Sequence, residues 1–276
     1  MKNIKDKLIL ITGGASGIGL LMAFTFAEKQ AKVIIWDVND SAIKLVEDEA
    51  RAKNLFIRGM VCDVSDRNSV YSQAQKLVAE FGPLDILINN AGIVSKKGQN
   101  VAGPAFLGVP DESIIKLMNI NAISLFWTSK AFLPSMIERN TGHIVTISSS
   151  AGIIGVKGLS DYCAAKFAAF GFDESLRMEL RRMKSAIKTT VVCPFFINTG
   201  MFEGVKTRFP FILPILKKEY VVKRIVKAIL RNKTRLLMPR FVYTIYFLRL
   251  LPPPMMDAIA NFFGISHAMD DFKGRA

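Results

Sequence analysis

Lys7–Asp37 reads KLILITGGASGIGLLMAFTFAEKQAKVIIWD, and the order of its parts decides the fold. Lys7–Thr12 is a short apolar run of the kind that forms a buried strand. The turn Gly13-Gly14-Ala15-Ser16-Gly17-Ile18-Gly19 follows, where glycines allow a backbone to approach a bound group closely. Leu20–Lys29 then has helical apolar spacing, and Lys32–Trp36 is a second strand closing on Asp37. A strand, a glycine turn, a helix and a strand ending in an acid make one βαβ unit. The first turn of such a helix offers free N–H groups and the positive end of the helix dipole to a pyrophosphate. Asp37 stands 24 residues after Gly13, where a carboxylate accepts from a ribose 2′-hydroxyl and repels a 2′-phosphate. The unit therefore predicts NAD as cofactor, with NADP disfavoured.

The alternation continues outward. Ser41–Lys53 is helical, Phe56–Cys62 is a strand meeting Asp63-Val64, and Asp66–Phe81 is helical. Leu84–Ile88 is a buried strand closing on Asn89-Asn90-Ala91-Gly92, and Val94–Pro110 is expected to be a mobile loop. One long helix is expected from Asp111 to about Arg139, with Asn121 at mid-length; His143–Ser148 is a strand, Asp161–Met183 a helix and Lys188–Cys193 a strand ending at Pro194. This pattern predicts the α/β class: a single Rossmann-fold domain over 1–276, a doubly wound parallel β-sheet with helices on both faces. Residues 1–200 form the cofactor-binding and catalytic core, 201–219 a substrate lid, and 220–276 a basic and apolar extension.

A chain of 276 residues, half of them hydrophobic and 20 of them Phe, can bury one large core. Cys62, Cys163 and Cys193 form no CxxC and read as buried, reduced thiols, which suits a cytoplasmic protein. No His/Cys/Asp grouping has metal-ligand spacing, so no metal is implied. His143 opens a strand and reads as structural, and His267 lies in a polar tail. The start, MKNIKDKLILITGG, has too short an apolar run for a signal peptide or a membrane span. The formal charge is +14, and residues 181–250 carry all of that excess, with sixteen Lys and Arg against Glu203 and Glu219. A concentrated basic excess points to an anionic partner or to a solvated basic face.

The chemistry lies in Ile147–Lys166, ISSSAGIIGVKGLSDYCAAK. Tyr162 and Lys166 are four residues apart, so on a helix they share one face. An ammonium beside a phenol favours its ionised form and eases proton transfer near neutral pH. Ser149 lies thirteen residues before Tyr162, where an apolar strand runs out into small residues. A lone Tyr-x-x-x-Lys is common on helix surfaces; its weight here comes from what precedes it.

Five motifs in order resemble the short-chain dehydrogenase/reductase family over roughly residues 7 to 200: TGGASGIG (12–19), NNAG (89–92), Asn121 in NINAISLF, Ser149, and Tyr162-x-x-x-Lys166. The resemblance implies that Tyr162 is the general acid/base and that Lys166 lowers its pKa while bonding the nicotinamide ribose. Ser149 would orient the substrate oxygen, and Asn121 would hold a water that relays protons from Lys166. It further implies that Gly13, Ala15, Ser16, Gly17, Ile18 and Gly19 hold the cofactor phosphates and that Asp63 and Val64 meet the adenine. Asn90, Ala91 and Gly92 would floor the cofactor site, with Pro194 and Thr199 beside the nicotinamide carboxamide. The family usually has Pro-Gly after the sixth strand; here Pro194 is followed by Phe195 and Phe196. PFFINTGMF, the strand-closing WD and YCAAKFAAFGF look like the branch of retinol dehydrogenases and 17β-hydroxysteroid dehydrogenases. Animal members of that branch usually carry an N-terminal apolar anchor, and the family commonly forms homodimers or homotetramers.

Met201–Lys217, MFEGVKTRFPFILPILK, is apolar as a lid for a lipophilic substrate is. Glu219–Arg231 has helical spacing, and Thr234–Met238 is a last strand. Phe241–Leu251, stopped by Pro252–Pro254 and edged by Arg240 and Arg249, predicts an interfacial helix. Residues 201–256 would then meet an anionic membrane surface peripherally, the alternatives being a subunit interface or the pocket's own wall. No nucleic-acid module is recognisable. The sequence thus predicts an NAD-dependent oxidoreductase of a lipophilic alcohol or ketone, such as a steroid, retinoid or long-chain alcohol. The alternatives are a carbonyl reductase of a small polar substrate and a non-catalytic dinucleotide-binding sensor.

Overall fold

β1 (Leu8–Thr12) is buried at every residue, as an aliphatic strand must be when helices cover both of its faces. Its alternate side chains feed two separate cores, in a computed structural model that describes residues 3–95 and 105–272. Ile9 and Ile11 pack with Met22 and Phe26 of α1 (Gly17–Ala27), Ile43 and Val46 of α2 (Asp40–Ala52) and Ile225 of α7 (Lys218–Leu230). Leu8 and Leu10 pack instead with Leu77 of α3 (Arg67–Phe81), Phe132 and Met136 of α5 (Ser124–Glu138) and Leu176 of α6 (Ser160–Arg182). The period-2 geometry of the strand is the reason one sheet serves both layers.

The other strands are β2 (Lys32–Asp37), β3 (Ile57–Val61), β4 (Ile86–Asn89), β5 (His143–Ile147), β6 (Lys188–Pro194) and β7 (Arg235–Met238). They form one seven-stranded sheet of order β3-β2-β1-β4-β5-β6-β7, parallel throughout. This is the doubly wound α/β sheet expected. The chain winds outward from β1 to β3 and then returns to β1's other side as β4. Between β1 and β4 the crossovers therefore diverge, and a crevice opens at the strands' carboxyl ends.

The structure departs from the sequence reading at four places. The expected long helix Asp111–Arg139 is α4 (Asp111–Met118), a π turn at Asn119–Ile123, and α5. The expected helix Phe241–Leu251 is a 3-10 turn at Arg240–Thr244 followed by the single turn α8 (Ile245–Leu248). Its proline stop is also a start: Pro253 opens α9 (Pro253–Phe262), because a first-turn residue needs no N–H. The tail around His267 is not simply polar, since Ala268, Met269 and Phe272 are buried. Of the loop expected at Val94–Pro110, residues 96–104 lie outside the described ones, and Ala105–Gly108 is a 3-10 turn. His143 is fully buried, its Nε2 lying 2.7 Å from Thr190 Oγ1. Burial pushes its pKa down to about 3, so it packs as a neutral ring far from any proton-transfer role.

Candidate active site

The glycine turn is held open by glycine's own geometry. Gly13 and Gly17 have φ of +63° and +58°, and a Cβ on Gly19 would lie 2.1 Å from the Gly13 carbonyl oxygen. Asn90 closes this turn from β4, its side-chain amide donating to the carbonyls of Thr12 (2.9 Å) and Gly13 (3.1 Å). The backbone N–H groups of Asn90 and Ala91 both donate to Thr12 Oγ1 at 3.0 Å. Thr12 thus ties the two loops together, a role the sequence reading missed. Its signal was a hydroxyl closing an otherwise aliphatic strand. Ser16 is the N-cap of α1 but its hydroxyl makes no capping bond. Ser16, Gly17 and Ile18 line the crevice, so this turn fits the phosphates of a dinucleotide.

At the end of β2, Asp37 accepts from the N–H of Ala15 (Oδ2, 3.0 Å) and of Asn39 (Oδ1, 3.2 Å). The carboxylate is pinned against the glycine turn. Beside it, Asp63 caps its own turn by accepting from the N–H and hydroxyl of Ser65 at 2.9 and 2.6 Å, and Val64 is buried.

At the other end of the crevice, Tyr162 and Lys166 project from the first turns of α6, both buried. Lys166 Nζ lies 5.6 Å from the Tyr162 ring centroid and donates to the Ile147 carbonyl at 3.0 Å. The Tyr162 hydroxyl lies beside Ser149, which favours its ionised form. Ser149 Oγ also accepts from the Ala151 N–H at 3.1 Å and reaches the Pro194 carbonyl at 3.4 Å. The strand-to-helix joint depends on two residues the sequence reading passed over. Ser148 Oγ donates to the Lys166 carbonyl at 2.8 Å, and a Cβ on Gly152 would lie 2.4 Å from that same oxygen. Their signal was the small-residue loop itself.

Asn121 sits in the π turn, where the extra residue turns it toward the preceding loop. Its amide exchanges two bonds with the backbone of Ile93, each 2.8 Å. A Cβ on Gly92 would lie 3.3 Å from Asn121 Oδ1 and 3.5 Å from Lys166 Nζ, so both side chains border that glycine. Ser149, Tyr162, Lys166 and Asn121 are therefore gathered as one polar row, with Ser149 beside Tyr162 and both Lys166 and Asn121 beside Gly92.

The electrostatics correct one expectation. Burial raises the Tyr162 pKa, and the Ser149 hydrogen bond opposes this only in part. Burial also pushes Lys166 down to about 8, and the expected downward pull of the ammonium is not among the influences acting on the phenol. Desolvation penalises the charged form of each, and here it dominates.

One crevice, open to solvent, is lined by Gly13, Ser16, Gly17, Ile18, Asn90, Ala91 and Gly92 at one end. Ser149, Tyr162, Lys166, Pro194 and Thr199 line the other. Ala15, Gly19, Asn121, Asp37, Asp63 and Val64 do not line it: Asp37 closes β2, and Asp63 and Val64 stand past the end of β3. Phe195 and Phe196, 4.7 Å apart at their ring centroids, build one wall. Phe202, reaching in from beyond β6, stacks edge-on against Phe196 (5.1 Å) and Tyr162 (5.6 Å). This end thus holds a single phenol with polar side chains behind it and aromatic rings around it.

The family model described as short chain dehydrogenase matches residues 7–208. The chain is 47% identical to mouse (Mus musculus) epidermal retinol dehydrogenase 2 over 99% of its length and 87% of that protein's. It is 40% identical to retinol dehydrogenase 10-B of Danio rerio over 98% of this chain and 86% of that protein. Among solved structures, a short chain dehydrogenase/reductase from Burkholderia phymatum in complex with NAD superposes with a TM-score of 0.78. The two share 23% identity, with 91% of this chain and 95% of that one covered.

Proposed function

The chain belongs to the short-chain dehydrogenase family, and we propose that it moves a hydride between NAD and a lipophilic alcohol or its carbonyl. The observation that carries this reading is the row Ser149–Tyr162–Lys166–Asn121 ending in an aromatic-walled crevice that begins at a glycine turn. Gly13, Ser16, Gly17 and Ile18 would hold the pyrophosphate, Asp37 the adenosine ribose, and Asp63 and Val64 the adenine. Asn90–Gly92 would underlie the nicotinamide ribose bonded by Tyr162 and Lys166, with Pro194 and Thr199 at the carboxamide. When bound, the nicotinamide supplies the hydride acceptor or donor.

The chain's own part is proton transfer and positioning. In oxidation the deprotonated Tyr162 takes the proton from the substrate hydroxyl, while Ser149 holds that oxygen in place. The proton then leaves along Lys166 and Asn121. In reduction the order reverses, and the raised Tyr162 pKa keeps the acid form loaded. Phe195, Phe196 and Phe202 exclude water and favour an apolar substrate body.

The test is cofactor reduction by the purified protein with NAD and NADP, offering retinol, a 17β-hydroxysteroid, a long-chain alcohol and a short polar alcohol. Turnover with NAD and the lipophilic alcohols is expected. Preference for the short polar alcohol would replace this reading with a small-substrate reductase. Tight NAD binding without turnover would favour the sensor.

We also infer that the C-terminal face rests on anionic lipid. Phe211, Phe247, Leu250, Met255 and Phe262 are exposed, and Arg208 stacks on Phe209 and Phe262, 5.4 Å from each ring. Arg249, expected at the margin of this face, turns inward to the Ile153 carbonyl at 2.7 Å. Among the described residues no helix is long and apolar enough to cross a membrane, so the reading is a peripheral contact. The protein should float with anionic liposomes at low salt and detach as salt rises; failure to float at low salt removes the inference.

A further inference from the structure

α9 ends on Phe262, and Gly264, two residues later, has φ of +75°, the left-handed cap that reverses a chain at a helix end. A Cβ there would lie 2.6 Å from the Arg208 Cβ, so glycine also lets this turn sit directly on the lid segment 201–219. The chain then runs back as residues 265–272, of which Ala268, Met269 and Phe272 are buried. The Lys206 N–H donates to the Ala268 carbonyl at 3.4 Å, and the Lys206 ammonium meets Asp271 at 2.7 Å. Asp270 meets Lys157, in the loop before α6, at 3.3 Å. Both ion pairs are exposed and fix register more than strength. The buried side chains carry the packing.

Phe272 transmits that packing to the crevice. Its ring centroid lies 6.1 Å from that of Phe202. Phe202 in turn meets Phe196 at 5.1 Å and Tyr162 at 5.6 Å, both edge-on. Phe202 lines the crevice and is only partly buried, whereas Phe272 does not line it and is 6% exposed. Among the described ring neighbours of Phe202, Phe272 is thus the one that stands outside the crevice wall. A ring bordering open space keeps one orientation only if packed side chains behind it do so. The polar and titratable groups facing the phenol are Ser149, from the turn after β5, and Cys163 and Lys166 of α6. Phe202 brings a ring and no charge, so its effect on the phenol is through exclusion of water.

Resting on the dehydrogenase reading above, we propose that Phe272 is a positioning residue: by backing Phe202 it holds that ring against Tyr162 and keeps the phenol shielded from water. The loss of one aromatic contact shifts the balance between shielded and exposed phenol by about three- to tenfold.

Phe272→Ala should raise the rate at which tetranitromethane nitrates Tyr162, mapped by peptide mass spectrometry, by about three- to tenfold. It should also start the alkaline rise in alcohol oxidation at lower pH, because water around the phenol favours its ionised form. Phe202→Ala should do the same, and Phe272→Ala added to it should change neither readout further. A thermal melt and a cofactor titration accompany each variant, and Phe272→Leu, which keeps apolar bulk without a ring, serves should the alanine variant not fold. A wild-type nitration rate in the folded variant overturns the proposal. So does a full further increase on the Phe202→Ala background, since Phe272 would then act by another route. If nitration changes as described and no alcohol is oxidised, the positioning role stands and the dehydrogenase reading fails.

Discussion

Tyr162→Phe should lower kcat for alcohol oxidation by about 10²- to 10⁴-fold, the range that a positioned general base supplies. The substitution removes one oxygen and little else. The ring keeps its edge contact with Phe202 and its place in the buried core, so the loss should fall on kcat rather than on folding. The measurement is steady-state NADH formation, set beside a cofactor titration and a thermal melt. A variant that binds cofactor and melts like wild type but turns over within about threefold of it would remove Tyr162 from the chemistry.

The pH dependence of the wild type follows from the same burial. With the Tyr162 pKa raised, the proton-accepting form is scarce at neutral pH and grows as pH rises. Oxidation should therefore accelerate toward alkaline pH, and reduction, which needs the loaded phenol, should slow. The Phe variant should lose that dependence along with the rate.

Asp37→Ala should cost NAD about 10- to 100-fold in kcat/KM, the worth of a hydrogen bond to a charged group, while NADP loses little or gains. Two effects must be separated, because Asp37 also accepts from Ala15 and Asn39. Asp37→Asn removes the charge but keeps only one of the two acceptor oxygens, so it also gives up the bond from either Ala15 or Asn39. If charge is what repels a 2′-phosphate, Asn should raise NADP use while retaining most NAD activity. If Asp37 merely braces the glycine turn, Asn and Ala should each weaken both cofactors equally, Asn less than Ala because it keeps one of the two bonds. That equal loss, or a wild-type preference for NADP, would end the NAD assignment.

Much of this molecule was legible one residue at a time. Strand–glycine–helix–strand periodicity located β1, α1 and β2 to within a few residues, because burial on both faces demands unbroken aliphatic strands. Four of the residues expected to act, Asn121, Ser149, Tyr162 and Lys166, fall in one polar row. The i,i+4 spacing of Tyr162 and Lys166 is local, so it survives translation into structure unchanged. What the spacing could not convey was the dielectric around the pair. Lys166 meets the Ile147 carbonyl from a neighbouring strand, and it is enclosure, not sequence distance, that raises one pKa and lowers the other.

Boundaries were misread where a long-range partner competes with local propensity. The π turn that aims Asn121 interrupts a helical pattern that looked continuous from Asp111 to Arg139. Nothing in NINAISLF announces that Ile93, nearly thirty residues away, will take both of its amide bonds. Thr12, Ser148 and Gly152 act by the same kind of contact, across crossovers, and so left only faint marks in the sequence. The C-terminal third was the least legible, since prolines and mixed apolar and basic residues suit several conformations equally.

Local periodicity and ordered motifs, then, were enough by themselves to determine the doubly wound sheet, the glycine turn at one end of the crevice and the polar side chains gathered at the other. Those features depend on contacts between near neighbours and on the simple rule that apolar faces must be covered. The tertiary structure alone decided that Phe202 lies edge-on against Tyr162 and that Arg249 turns inward. Each of these places side chains from distant segments against one another, and that juxtaposition is set by packing the whole chain at once.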